Sequence, residues 1–102
     1  MPAITRNGVD PSAGHCFPPV VTTASGQNTG QPMVFVNNIL ATVVGAPYES
    51  HCCSCEGDDH VDLASAGSGT VFIQNIPVHR IGDAMSHGDV SAAGSPNVFA
   101  GG

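Results

Sequence analysis

His15, His51 and His87 stand 36 residues apart, then 36 again. A fixed internal period says that one small unit recurs, and that each unit delivers an imidazole to an equivalent place. Close to them lie His60 and four cysteines, Cys16, Cys52, Cys53 and Cys55. In a reducing compartment such clustering reads as metal ligation before disulfides. A structural zinc takes four N or S ligands in a tetrahedron. Three equivalent histidines supply three corners. The fourth must come from a loop that breaks the repeat, and the second loop offers Cys53, Cys55 and His60. Ligand type favours zinc over iron.

The remaining groups divide by position. Cys16 follows His15 directly and Cys52 follows His51, and sequence neighbours seldom both reach one ion. Both read as small buried packing residues, with a Cys16–Cys52 disulfide as the alternative after export. His79 reads as an ordinary surface or satisfied histidine. Asp10 and Asp83 read as turn residues, and Arg6 and Arg80 as an ion pair or carbonyl tie. No Ser-His-Asp spacing occurs, and no glycine loop opens a helix. His51 and Cys53 are close enough in sequence for a thiol enzyme, or an interaction module, built on the Cys52–Cys55 cluster. A catalytic zinc, however, keeps an open position, whereas this chain offers surplus ligands. The expectation is a closed structural site and no enzymatic activity.

Strands must position these loops. Val34-Phe35-Val36 and the run from Ile39 to Val44 flank Asn37-Asn38. Val71-Phe72-Ile73 and the run from Ile76 to Ile81 flank Gln74-Asn75. Asparagine tolerates the positive φ that tight hairpin turns require. A third copy, Val98-Phe99-Ala100, meets only Gly101-Gly102. Residues 2–8 align with the two return strands at offsets of 37, so they are expected to pair with residues 97–101. The predicted fold is all-β, with three hairpins around a pseudo-threefold axis and the last closed by the two chain ends. Closure removes exposed strand edges.

With 102 residues the chain reads as one domain, 1–102, with no effector extension. A core this small often needs a staple. Gly and Pro favour turns, and aromatic residues are scarce. Its net charge is −6, with Arg6 and Arg80 as the basic side chains. Such a chain cannot neutralise phosphates, so nucleic acid is excluded as a partner, and an anionic membrane surface is disfavoured. The N-terminal residues lack the basic start and apolar run of a signal peptide. Synthesis and folding in the cytoplasm are expected.

Gly67-Ser68-Gly69-Thr70-Val71-Phe72-Ile73-Gln74-Asn75, Pro77-Val78-His79-Arg80-Ile81-Gly82-Asp83, Ser86-His87-Gly88 and Gly94-Ser95-Pro96-Asn97-Val98-Phe99 resemble the PAAR-repeat family. The namesake Pro-Ala-Ala-Arg stands here as Pro77-Val78-His79-Arg80. Gly14-His15-Cys16-Phe17-Pro18-Pro19 and His51-Cys52-Cys53 resemble its phage-like branch. The resemblance implies a small metal-tipped cone that sharpens the spike of a phage tail or type VI secretion system. It implies one zinc near the vertex, held in the family by three histidines and a cysteine. Carried over by position, the ligands are His15, His51, His60 and His87, with Cys53 or Cys55 as the alternative fourth. The implied partner is a trimeric β-helical spike, VgrG-like or of phage type, with one monomer on the trimer and transient contact with a target envelope.

Overall fold

A computed structural model describes residues 1–13, 20–22, 34–50, 61–86 and 88–101. No helix occurs among them, and none is long and apolar enough to cross a membrane. The strands are short: β1 (Ser12–Ala13), β2 (Phe35–Val36), β3 (Ile39–Leu40), β4 (Phe72–Ile73), β5 (Ile76–Pro77) and β6 (Val90–Ser91). The chain is all-β.

β2 pairs with β3 and β4 with β5, each antiparallel across a two-residue turn. Asn37 and Asn38 have φ of 55° and 65°, and Gln74 and Asn75 have 49° and 68°. Positive φ at both central residues defines the type I′ turn, whose twist matches that of the flanking strands. The chain ends meet as a single antiparallel bridge, Ala3 to Phe99, and not as a longer ladder. Ile4 N–H donates to the Val98 carbonyl and Ala100 N–H to that of Pro2, both at 3.0 Å.

The segments that follow the turns close into a ring. Ile4 bridges to Arg80, Arg6 to Ala41, and Val43 to Val78. Ile4, Ala41 and Val78 are one set of equivalent residues and Arg6, Val43 and Arg80 another, and each bridge joins a member of the first set to a member of the second. Three hydrogen bonds complete the circle: Thr5 N–H to the His79 carbonyl (3.0 Å), His79 N–H to Thr42 (2.9 Å) and Thr42 N–H to Thr5 (2.9 Å). Thr5, Thr42 and His79 are fully buried. We call this ring the hub.

The buried apolar residues form two cores, the first of which includes residues of the hub itself. One contains Ile4, Val36, Ala41, Val43, Ile73, Val78 and Ala100, with Ile76 and Val98 packed against it. The other contains Val20, Tyr48, Ala64 and Met85. The repeated Gly-Ser of the sequence holds the entry to each outer strand. A Cβ on Gly67 would lie 2.7 Å from the Val78 carbonyl oxygen, and one on Gly94 2.9 Å from that of Ile4. Backbone therefore crosses backbone at these points with room for glycine only. Ser68 Oγ accepts from the N–H groups of Thr70 and Val71, and Ser95 Oγ from those of Asn97 and Val98.

Arg6 and Arg80 occupy equivalent positions, with Val43 at the third. Arg80 is bidentate on Asp83, with Nε to Oδ2 at 2.8 Å and Nη2 to Oδ1 at 3.0 Å, and Arg6 grips Asp10 at the same distances. The aspartates at these turns are thus arginine partners. Arg80 Nη1 also donates to the Gly101 and Ala100 carbonyls, at 3.0 and 3.3 Å. Both of the functions expected of the arginines, ion pairing and carbonyl binding, meet in Arg80.

Candidate functional site

Beyond the hub each hairpin strand leads into a loop stem. The turns out of the hub pass through Gly8, Gly45 and Gly82, 37 residues apart, with φ of 79°, 97° and 88°. These are left-handed values that glycine adopts freely. Ser12 N–H then donates to the Val20 carbonyl (2.8 Å), Tyr48 N–H to Asp62 (2.9 Å) and Met85 N–H to Asp89 (2.8 Å). Each bond closes the base of one loop: residues 14–19, 51–60 and 87 lie between the paired partners.

The stems are joined to one another. Thr22 bridges to Tyr48, Ala64 to Met85, and Ser12 pairs with Ser91 in the β1–β6 ladder. These contacts form a second closed ring beyond the hub. The second core fills it with residues from all three stems: Val20 from the first, Tyr48 and Ala64 from the second, Met85 from the third.

The expected ligands His15, His51, His60 and His87, and Cys16, Cys52, Cys53 and Cys55, lie outside the described residues. Among the described residues no cluster of three or more His, Cys, Asp or Glu could hold a metal ion. The described structure thus gives the stems that carry the expected ligands and joins them in one ring.

His79 is the one histidine among the described residues. It is not a surface residue. Its Nδ1–H donates to the Ala66 carbonyl at 2.7 Å, and its ring meets that of Tyr48 edge-on, with centroids 6.3 Å apart at 72°. Burial lowers its pKa, against the opposing pull of the Ala66 bond. Burial likewise raises that of Tyr48, and the carboxylates of Asp89, Asp10 and Asp62 add to the rise.

The opposite end is built differently. Phe35, Phe72 and Phe99 are equivalent residues, 54%, 49% and 48% exposed. Each faces its partner, Leu40, Pro77 or Ala3, while the flanking residues carry the hydrogen bonds: Ala41 N–H to Val34, Val78 N–H to Val71, and Ile4 N–H to Val98. In an antiparallel pair that alternation turns the main-chain N–H and C=O of the facing residue out of the ladder. Each of the three strands therefore turns the main-chain groups of its phenylalanine to the side away from its paired strand. The residue spacing gave no warning of the exposed aromatics or of the buried Thr5, Thr42 and His79. The offset of 37, applied residue by residue, aligns Thr5 with Thr42 and His79, whereas Phe99 follows Phe72 by 27 and is aligned by the repeated Val-Phe motif.

The architecture defines a small all-β protein built of repeated hairpin units around a closed hub. The PAAR motif model matches residues 19–93. The chain belongs to the PAAR-motif family, the spike-tip proteins of contractile injection systems. No curated protein matches it.

Proposed function

We propose that this chain is a mechanical tip: it caps a trimeric β-helical spike, is stiffened by one structural zinc, and breaches a target envelope without catalysis. The observation that carries this reading is the double closure. Two successive rings, the hub and the stem ring, each join three equivalent segments.

Three stems joined in one ring lead into the loops whose sequences hold His15, His51, His60 and His87, which supports reading these four as one ligand set. Four neutral imidazoles are a chemically suitable zinc donor set, and Cys53 or Cys55 is the alternative fourth ligand. When bound, the ion supplies a tetrahedral tie whose binding free energy adds to folding free energy. A tip has little volume for apolar packing, so a metal tie there adds what a core cannot. Iron is the less favoured occupant on ligand type.

At the other end the free edges at Phe35, Phe72 and Phe99 suit strand addition, in which main-chain bonds give affinity and flanking side chains add specificity. Three equivalent edges match a threefold partner, such as a VgrG-like or phage spike, better than a single chain. A test is to mix the purified chain with a trimeric spike of the same genome and read the stoichiometry. One chain per trimer is expected. Absence of a complex, or three chains per trimer, counts against the reading.

A further inference from the structure

The hub carries threonine at two of its equivalent positions and histidine at the third. Thr5 Oγ1 reaches the carbonyl of Ala93 at 3.4 Å, and His79 Nδ1–H reaches that of Ala66 at 2.7 Å. Ala66 and Ala93 are themselves equivalent, each preceding the crossing glycine, Gly67 or Gly94. A hydroxyl therefore serves for this tie. The imidazole brings one thing more, a second nitrogen that can take a proton.

That nitrogen is set apart by its surroundings. The Ala66 carbonyl can only accept, so Nδ1 carries the hydrogen and Nε2 is bare in the neutral ring. Nε2 is buried without a hydrogen-bond partner. The group packed against the imidazole from the second stem is the Tyr48 ring, whose buried hydroxyl lies by that of Ser91. The Ser91 hydroxyl nearby is engaged by Thr5. From its own strand Arg80 opposes a charge on His79 and Asp83 favours one, while burial outweighs both. Asp89, Asp10 and Asp62 stand around the Tyr48 phenol. Protonated Nε2–H would thus be a buried cation with no acceptor within hydrogen-bond reach in the present geometry.

We propose that His79 is an acid-sensitive lock in the hub, holding the stem of the 51–60 loop while neutral and loosening it when protonated. The folded-state pKa lies below the unfolded value of about 6.5. The stabilisation is therefore whole above about pH 6.5 and is lost as pH falls from there toward the folded value. One such group changes the folding constant by at most about tenfold per pH unit.

The test compares denaturant unfolding of the native protein and His79→Thr between pH 8 and pH 5, with zinc content followed in both. The other histidines are common to the two proteins, so the ratio of their folding constants isolates His79. The ratio of native to variant should fall steadily below about pH 6.5, approaching tenfold per pH unit. Parallel pH profiles would overturn the proposal. Should the variant not fold, imidazole nitrogen shifts of the native protein decide. Nε2 should stay unprotonated where exposed histidines are already charged. Ordinary protonation with an unchanged amide spectrum overturns the lock. Loss of zinc at equal pH in both proteins would concern the metal site and leave the lock to the ratio.

Discussion

The main-chain N–H of Thr5 donates to the carbonyl of His79, 74 residues away in sequence, at 3.0 Å. With its two symmetry mates this bond turns a repeating chain into a closed body. Neither residue is apolar, yet both are fully buried. Strength at the centre of this small protein comes from satisfied backbone as much as from its two small cores.

Arg80 should be the more costly of the two arginines to remove. Its guanidinium joins Asp83 to the Gly101 and Ala100 carbonyls, and so fixes the strand at the chain end. Arg80→Ala takes the guanidinium from a largely buried carboxylate and from the Ala100 carbonyl, while the Gly101 carbonyl keeps Ser68 Oγ and Thr70 Oγ1, a loss of about 2–4 kcal/mol. Arg6→Ala leaves Asp10, the more buried carboxylate, and removes a long 3.5 Å contact to Asn37, but it unties no carbonyl of the chain end and on that ground should cost less. Chemical denaturation of the two variants gives the order. Equal losses would contradict the latch assigned to Arg80.

The crossing glycines make a sharp contrast with the turn glycines. Gly94→Ala drives a Cβ to 2.9 Å from the Ile4 carbonyl, at the strand that the N-terminus contributes. Overpacking of that kind costs about 1–3 kcal/mol. Gly45 has open space around its missing Cβ but a φ of 97°. Gly45→Ala therefore suffers backbone strain alone, about 1–2 kcal/mol. Thermal unfolding should show both variants less stable, and second-site relief at Ala3 should help Gly94→Ala only.

The turns leave room for improvement. Gln74 sits at φ 49°, where its equivalent in the other hairpin is Asn37. Asparagine adopts this region more readily than glutamine. Gln74→Asn should raise stability by about 0.5 kcal/mol, read as an upward shift in the unfolding midpoint. An unchanged or lower midpoint would mean that the Gln74 side chain contributes more than its backbone loses.

The docking edge can be tested without harming the fold. Phe35, Phe72 and Phe99 are about half exposed and outside the cores. Changing all three to lysine should leave folding stability within about 1 kcal/mol, because surface substitutions rarely exceed that. It should abolish spike binding, since edge charges oppose strand addition. Retained binding would move the interface elsewhere.

Much of the fold could be read from the chain. Asn37-Asn38 and Gln74-Asn75 announced the turns because positive φ limits the residues that fit. The offset of 37 announced that residues 2–8 meet residues 97–101, and Ala3 does bridge to Phe99. The hub was less legible. Thr5, Thr42 and His79 share a backbone position but no side-chain chemistry, and polar residues are usually placed outside. His79 was expected to be ordinary for that reason. The three phenylalanines are about half exposed, which an apolar strand residue does not announce. The ligand set follows from spacing and from family resemblance. The described residues add the ring of stems, and the expected ligands lie outside them.

Native mass spectrometry of the complex tests the central claim most directly. Its mass reports spike copies, tip copies and bound metal together. A trimeric spike carrying one chain and one zinc, with the zinc lost from His15→Ala, His51→Ala, His60→Ala and His87→Ala variants, is the predicted result. A chain that binds no metal, or meets the spike in a ratio other than one to three, would contradict it.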